Sequence, residues 1–325
     1  MEDVTRFREQ SITLAGLEGL NIDIPSANPL NYHQVVNDPN GCEPLVVDGK
    51  LFLPSAEEPL PLVMVVPGSL GVAESHLAHA GTLVEAGYAV FVLDPFGSRT
   101  VESTVANQAQ YTFAASGLDV LAALRVLAAN EAIDAKRISA QGHSRGGSAV
   151  LTAAMRTFAD PVVGADLALA GVYAVYPWCG HQFARPDVGS TCVRAIVGER
   201  DDWLSVQQVQ SQIQAINLSG GDASIRVVKG AWHSFDRSEE VYEIPEATVA
   251  PSAPTTYIGA DGAMIDYRTG QPDAAITDYE MFMAAIEADF GRWGAHIGSI
   301  GDQPDVFHED MLAFHASVLG GAQVD

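Results

Sequence analysis

The residues most able to do chemistry lie in Gly142-His143-Ser144-Arg145-Gly146, which fits the pattern G-x-S-x-G. An apolar stretch, Ile138-Ser139-Ala140-Gln141, precedes it, and Ser148-Ala149-Val150-Leu151 opens a helical stretch after it. A sharp strand-to-helix turn of this kind strains the serine and projects its Oγ from the C-terminal edge of a sheet. The glycines are required because side chains there would strike the neighbouring strand and helix. The following helix N-terminus supplies N–H groups and the positive end of a dipole where negative charge develops. A hydroxyl needs a base, and the base needs an orienting carboxylate. Ala195-Ile196-Val197 runs into Gly198-Glu199-Arg200-Asp201-Asp202-Trp203, so its acids fall at the strand end where the nucleophile also lies. Asp201 is favoured, three residues past Gly198, and Asp202 is the neighbour able to take its place. Either acid could instead cap the helix that begins near Ser205. After the next strand, Gly230-Ala231-Trp232-His233-Ser234 offers His233 as the base. The N–H of Arg145 and that of Ser69 or Leu70, in Pro67-Gly68-Ser69-Leu70-Gly71, are the candidate oxyanion donors.

Other reactive or bulky residues carry weaker signals. Trp178, Trp203 and Trp232 follow strands and are candidates to line a substrate cavity, with core packing as the alternative. Arg99 could hold a substrate carboxylate or pair with an acid. His76 and His79 are spaced i, i+3 on a helix, but no third ligand is apparent, so they are expected on a helix surface or site rim. No metal and no cofactor is implied.

The elements that must position these groups alternate. Leu62 to Val66 and Tyr88 to Leu93 are continuous apolar runs of the kind found in strands buried on both faces. Helices are expected over Ser75 to Ala86, Phe113 to Asn130, the segment after Ser144 to about Phe158, and Val206 to Asn217, with further strands at Leu167 to Tyr176, Cys192 to Val197 and Ile225 to Val228. Such alternation predicts a mostly parallel sheet with helices on both faces. Short strands are expected at Ser11 to Leu17, Tyr32 to Val36 and Leu45 to Leu53, with Asp48-Gly49 as a hairpin turn, making an antiparallel N-terminal edge. Residues 239–272 have little periodicity and read as an excursion. Asp278 to Phe290 and Glu309 to Leu319 read as helices, the last packing on the sheet. One domain covers 1–325: an N-terminal β extension (1–60), a core (61–238), a lid or decoration (239–307) and a C-terminal helix (308–325).

With 17 basic against 41 acidic residues, the net charge of −24 disfavours binding to nucleic acid or anionic membranes. Cys42, Cys179 and Cys192 are too few for a disulfide framework, although one Cys179–Cys192 bridge is open in an oxidising compartment. The N-terminal residues lack the apolar core of a signal peptide and no stretch is apolar enough to span a membrane, so a cytoplasmic protein is expected. Oligomeric state is left open, a homo-oligomer included.

The segments PGSLG, LVEAGYAVFVLDPFGSR, QGHSRGG, VGERDDW and GAWHSFD together resemble the dienelactone hydrolase family of α/β-hydrolases, over roughly Leu62 to Phe235. The resemblance implies the α/β-hydrolase fold, a triad free of metal and cofactor, and hydrolysis of esters or lactones, often of small carboxylated molecules. Three features depart from the family: the nucleophile is Ser rather than Cys, Pro67 stands where a His is often found, and residues 239–307 exceed what a simple member needs. The expected activity is acyl transfer from a small ester or lactone to water by Ser144, Asp201 and His233. The rivals are an acyltransferase or peptidase with the same triad, and a non-catalytic binding protein.

Overall fold

The apolar runs at the centre of the sequence become the centre of a sheet. The computed structural model describes residues 6–320. Its principal strands are β1 (Leu20–Asn28), β2 (Glu43–Phe52), β3 (Leu60–Val66), β4 (Ala89–Asp94), β5 (Ile133–His143), β6 (Gly171–Val175), β7 (Cys192–Gly198) and β8 (Ala223–Val228). They pair in the order β1-β2-β4-β3-β5-β6-β7-β8. Pairing is parallel from β4 to β8, and β2 runs antiparallel to both β1 and β4. Leu62 to Val66 and Ala89 to Leu93 are fully or almost fully buried, as strands covered on both faces must be.

The helices are α1 (Tyr32–Asn37), α2 (Glu74–Glu85), α3 (Phe113–Ala128), α4 (Arg145–Ala154), α5 (Arg156–Val163), α6 (Val206–Leu218), α7 (Asp278–Glu287) and α8 (Gln303–Leu319). Thr112 caps α3 by accepting from the Ala115 N–H, and Ser205 caps α6 through the Gln208 N–H. Helix α8 lies against β5 and β6, where Tyr173 stacks on Phe314 and donates from its hydroxyl to Asp310 at 3.1 Å.

Three expectations change, and one strand was missed. Residues 32–36 are helical rather than extended, because Asn31 accepts from the Gln34 N–H at 3.0 Å and one helical turn buries both Tyr32 and Val35. Asp48-Gly49 is no hairpin. β2 runs straight through it, a Cβ on Gly49 would collide with the Phe91 ring, and the Asp48 carboxylate is occupied by Arg6 and Arg8. The stretch Leu20–Asn28, which pairs with β2 along its whole length, carried too few buried positions to stand out. The helix after Ser144 stops at Ala154, where Met155 is extended, and α5 starts anew.

The excursion is ordered. Tyr242–Val249 pairs antiparallel with Arg292–Ile297, and Thr256–Ile258 pairs parallel with His181–Phe183, extended by Met264–Asp266 and Gln271–Asp273. Most of these strands have three residues, too few for a period of two to register. Val105, Trp203, Ile244, Val249 and Ile297 form a second, smaller core beneath them. All three cysteines are free, and no described helix is long and apolar enough to cross a membrane.

Candidate active site

Ser144 stands between β5 and α4 with φ 53° and ψ −114°, outside the regions an L-residue normally occupies. Its neighbours explain how the turn closes. A Cβ at Gly142 would strike the Gly146 carbonyl, and one at Gly146 would strike the Val66 and Pro67 carbonyls, so glycine is required at both. The turn is fixed further by the Ser144 N–H donating to the Val175 carbonyl at 2.9 Å.

Asp201 and His233 leave the ends of β7 and β8 and meet the serine there. His233 Nε2 is 3.0 Å from Ser144 Oγ, and His233 Nδ1 is 2.7 Å from Asp201 Oδ2. The other Asp201 oxygen accepts from the N–H groups of Trp203 and Leu204 at 3.0 and 3.3 Å. Trp203 stacks on the His233 ring with centroids 5.2 Å apart, and the Tyr176 ring lies tilted against it at 4.5 Å. Asp202 points elsewhere. It accepts from the His296 N–H at 2.9 Å and meets the His296 ring at 2.8 Å, tying the β7 loop to the Arg292–Ile297 strand. Neither acid caps α6, since Ser205 does.

Arg145 opens α4, where the first N–H groups have no helical partner. Its guanidinium is buried between the Tyr111 and Phe113 rings and donates to the Gln108 and Tyr111 carbonyls and the Ser116 hydroxyl. Ser69 is buried at the cavity wall with its hydroxyl on Gln108 at 3.1 Å, whereas Leu70 is 41% exposed and borders only a smaller recess beside Ser144.

Ser144 and His233 open into a cavity of about 120 Å³. Trp178 and Trp203 line it, as expected. Trp232 does not; its ring packs on His296 at 4.7 Å. Arg99 is also away from the cavity. Its side chain is buried in a bidentate pair with Asp119 (2.7 and 3.1 Å) and donates to Asn28 and two carbonyls, so it ties β1 to α3 rather than holding a substrate. The excursion supplies much of the remaining wall, including Val249, Pro254, Tyr267, Asp278, Met281 and Phe282. Asp278 and His181 gave no sequence signal, because a lone acid at a helix start reads as a cap and a lone loop histidine reads as surface.

His76 and His79 are both buried rather than on a helix surface, and His76 borders the smaller recess beside Ser144. His79 Nε2 is 2.7 Å from Asp236 Oδ2, Tyr176 donates to Asp236 Oδ1 at 2.7 Å, and His143 Nδ1 is 3.0 Å from the Tyr176 hydroxyl. The third and fourth members of this cluster, His143 and Asp236, were invisible as partners because one ends β5 and the other lies after β8, both far in sequence from α2. The donor atoms of His79, His143 and Asp236 lie within 4.8 Å of one another, a spacing compatible with a metal ion. One proton assignment nevertheless satisfies all of them as neutral imidazoles around one carboxylate. Burial holds His76 and His143 below the usual histidine range, and hydrogen bonds from His143 and His79 hold Asp236 well below the usual carboxylate range despite its burial.

A serine on the β5–α4 turn, an acid after β7 and a histidine after β8, on a sheet of this strand order, define an α/β-hydrolase. Residues 47–254, more than half of the chain, match the model of the dienelactone hydrolase family, and the chain belongs to that family. Membership makes it an ester hydrolase by class. Among solved structures, esterase Est22 is similar at 16% identity and a TM-score of 0.56, the match covering 94% of this chain and 80% of that one. An esterase from Pyrobaculum calidifontis is similar at 16% identity and a TM-score of 0.50, covering 68% of this chain and 80% of that one. At such identities the likeness extends to the fold. No curated protein matches the chain.

Proposed function

We propose that this hydrolase cleaves a small carboxylic ester or lactone through an acyl-enzyme formed on Ser144. His233 removes the hydroxyl proton as Oγ attacks the carbonyl carbon. The N–H groups of Arg145 and Ser69 receive the oxyanion, Ser69 being preferred to Leu70 because it borders the cavity. Asp201 fixes the imidazole orientation and stabilises its cation. The protonated imidazole returns the proton to the departing alkoxide oxygen, water then adds to the acyl carbon with His233 again as base, and the acid leaves. A lactone follows the same course with its alcohol still tethered. The observation that carries this reading is the unbroken hydrogen-bonded chain Asp201–His233–Ser144 at the end of a largely apolar cavity. The test is Ser144→Ala: it is expected to abolish both p-nitrophenyl acetate hydrolysis and labelling by a fluorophosphonate probe while the protein stays folded. Undiminished turnover in that variant would refute the proposal.

A further inference from the structure

The cavity is mostly apolar; away from the catalytic end, Gln208 and Thr248 are satisfied by the protein, whereas one second place carries polar atoms that are not. Asp278, the first residue of α7, is buried at the cavity wall. One of its oxygens accepts from the Phe113 N–H, and the other has no protein partner among the described residues. The hydroxyl of Tyr267, on the same wall, is likewise buried and unpartnered. His181 also borders the cavity. Its Nδ1 meets the Tyr32 hydroxyl at 3.2 Å, leaving Nε2 unpartnered among the described residues. His181 and Asp278 both contact Phe113, one at its ring and the other at its backbone. The Phe113 ring lies edge-on to His181 at 5.8 Å, and the Phe113 N–H binds Asp278. Trp178 stacks on the Phe113 ring at 4.5 Å.

Leaving a buried polar atom without a partner is costly, and native proteins leave few of them. Cα positions alone do not demand an acid here: Thr277 already caps α7 by accepting from the Glu280 N–H, with Glu280 returning a bond to the Thr277 N–H. An asparagine would serve the Phe113 N–H equally well without a buried charge. Asp278 is therefore poorly explained by the fold, and well explained by a ligand.

Resting on the hydrolase reading above, we infer that Asp278 and His181 form a polar subsite for a hydroxyl carried by the ester substrate, seated against the Phe113–Trp178 pair. The carboxylate accepts a hydrogen bond from the hydroxyl. The Nε2–H of His181, which bears the proton when Tyr32 donates to Nδ1, donates to the hydroxyl oxygen. A hydroxyl is both donor and acceptor, which a methyl, a carboxylate or an ammonium is not. A carboxylate would be repelled by Asp278, and an ammonium would face Arg145. Two directions of pKa agree with these roles. Burial, with Arg145 nearby, pushes His181 down to about 3, so it is neutral at ordinary pH. Burial pushes Asp278 up to about 6 against the pull of the Phe113 N–H and Arg145, so above that pH it is the acceptor the hydroxyl requires.

The experiment is a set of ethyl esters of straight-chain hydroxy acids, and of monoesters of diols, each paired with the analogue carrying methyl in place of the hydroxyl. Purified full-length enzyme is assayed at about pH 8, and kcat/KM is compared within each pair. At least one hydroxyl position is expected to be preferred by roughly ten- to hundredfold, the range of a hydrogen bond to a charged group. That ratio is expected to fall toward unity in Asp278→Leu and in His181→Phe. Asp278→Asn, which keeps the Phe113 contact and the side-chain volume, is expected to fold and to reduce the ratio as well. Equal rates within every pair, or a hydroxyl preference undiminished in all three variants, would overturn the subsite. Absence of turnover for every ester in the wild type would instead count against the hydrolase reading.

Discussion

Two adjacent acids show how one position in a loop separates chemistry from scaffolding. Asp201 faces His233 and receives two backbone N–H groups, while Asp202 turns to His296. Asp201→Asn is expected to lower kcat on the order of 10³–10⁴-fold, because the amide favours the wrong imidazole tautomer. Asp202→Asn is expected to leave kcat within a few fold and to lower Tm by loosening the Arg292–Ile297 strand. Steady-state kinetics and thermal melts on the pair check both, and equal kinetic losses would contradict the assignment. The strain at Ser144 makes a second prediction. Removing the hydroxyl by Ser144→Ala keeps the Cβ at φ 53°, whereas Ser144→Gly removes the steric penalty of about 1–3 kcal/mol. The glycine variant is expected to melt at the higher temperature despite its looser unfolded chain, by differential scanning calorimetry. That Ser144, Asp201 and His233 meet was legible in the sequence because each follows a strand end marked by glycine. Arg99 was misread, since its partner Asp119 is a helix residue with nothing to mark it as buried.

At the scale of elements, α8 is joined to the sheet beneath the nucleophile by one histidine. His315 Nδ1 is 3.2 Å from Ser139 Oγ, and its Nε2 is 3.1 Å from Gln141 Oε1, whose amide continues to His143 at 2.9 Å. Burial pushes His315 down to about 3. The folded value lies below the unfolded one, so the stabilisation is fully present above about 6.5 and is lost as pH falls from there toward 3. His315→Gln, which cannot take up a proton, is expected to show a shallower fall in Tm between pH 6.5 and 4 than the wild type, although its Tm at pH 8 is lower. Parallel melting profiles would show that the charging of His315 does not drive acid unfolding. The central strands and α2, α3 and α6 were readable from continuous apolar runs and helical stripes. The excursion was not, because strands of three residues owe their existence to partners distant in the chain, His181–Phe183 above all.

For the molecule as a whole, 41 acidic residues against 17 basic ones put the folded state under self-repulsion. Salt screens that repulsion within about 10 Å at 0.1 M. Raising NaCl from about 0.01 M to about 0.5 M is expected to raise Tm at pH 8. A Tm that falls with salt would mean that attractive pairs, such as Arg194 with Asp310 (2.6 Å), outweigh the net charge. Composition revealed the sign of this field, and the fold alone shows that many of the few cations are already committed: Arg6 to Asp48, Arg99 to Asp119, Arg194 and Arg226 to Asp310.

The region matched by the family stops at residue 254, yet the base does not stand on that region alone. The His233 carbonyl receives the Gly298 N–H at 3.0 Å, and the Trp203 indole that stacks on the imidazole donates to the His296 carbonyl at 2.9 Å. A chain shortened to the family's boundary would retain Ser144, Asp201 and His233, the residues proposed to react, and lose these two hydrogen bonds around His233. On the proposed mechanism this segment supports the base as well as the cavity wall, so trimming it is expected to lower turnover as well as to change which molecules fit.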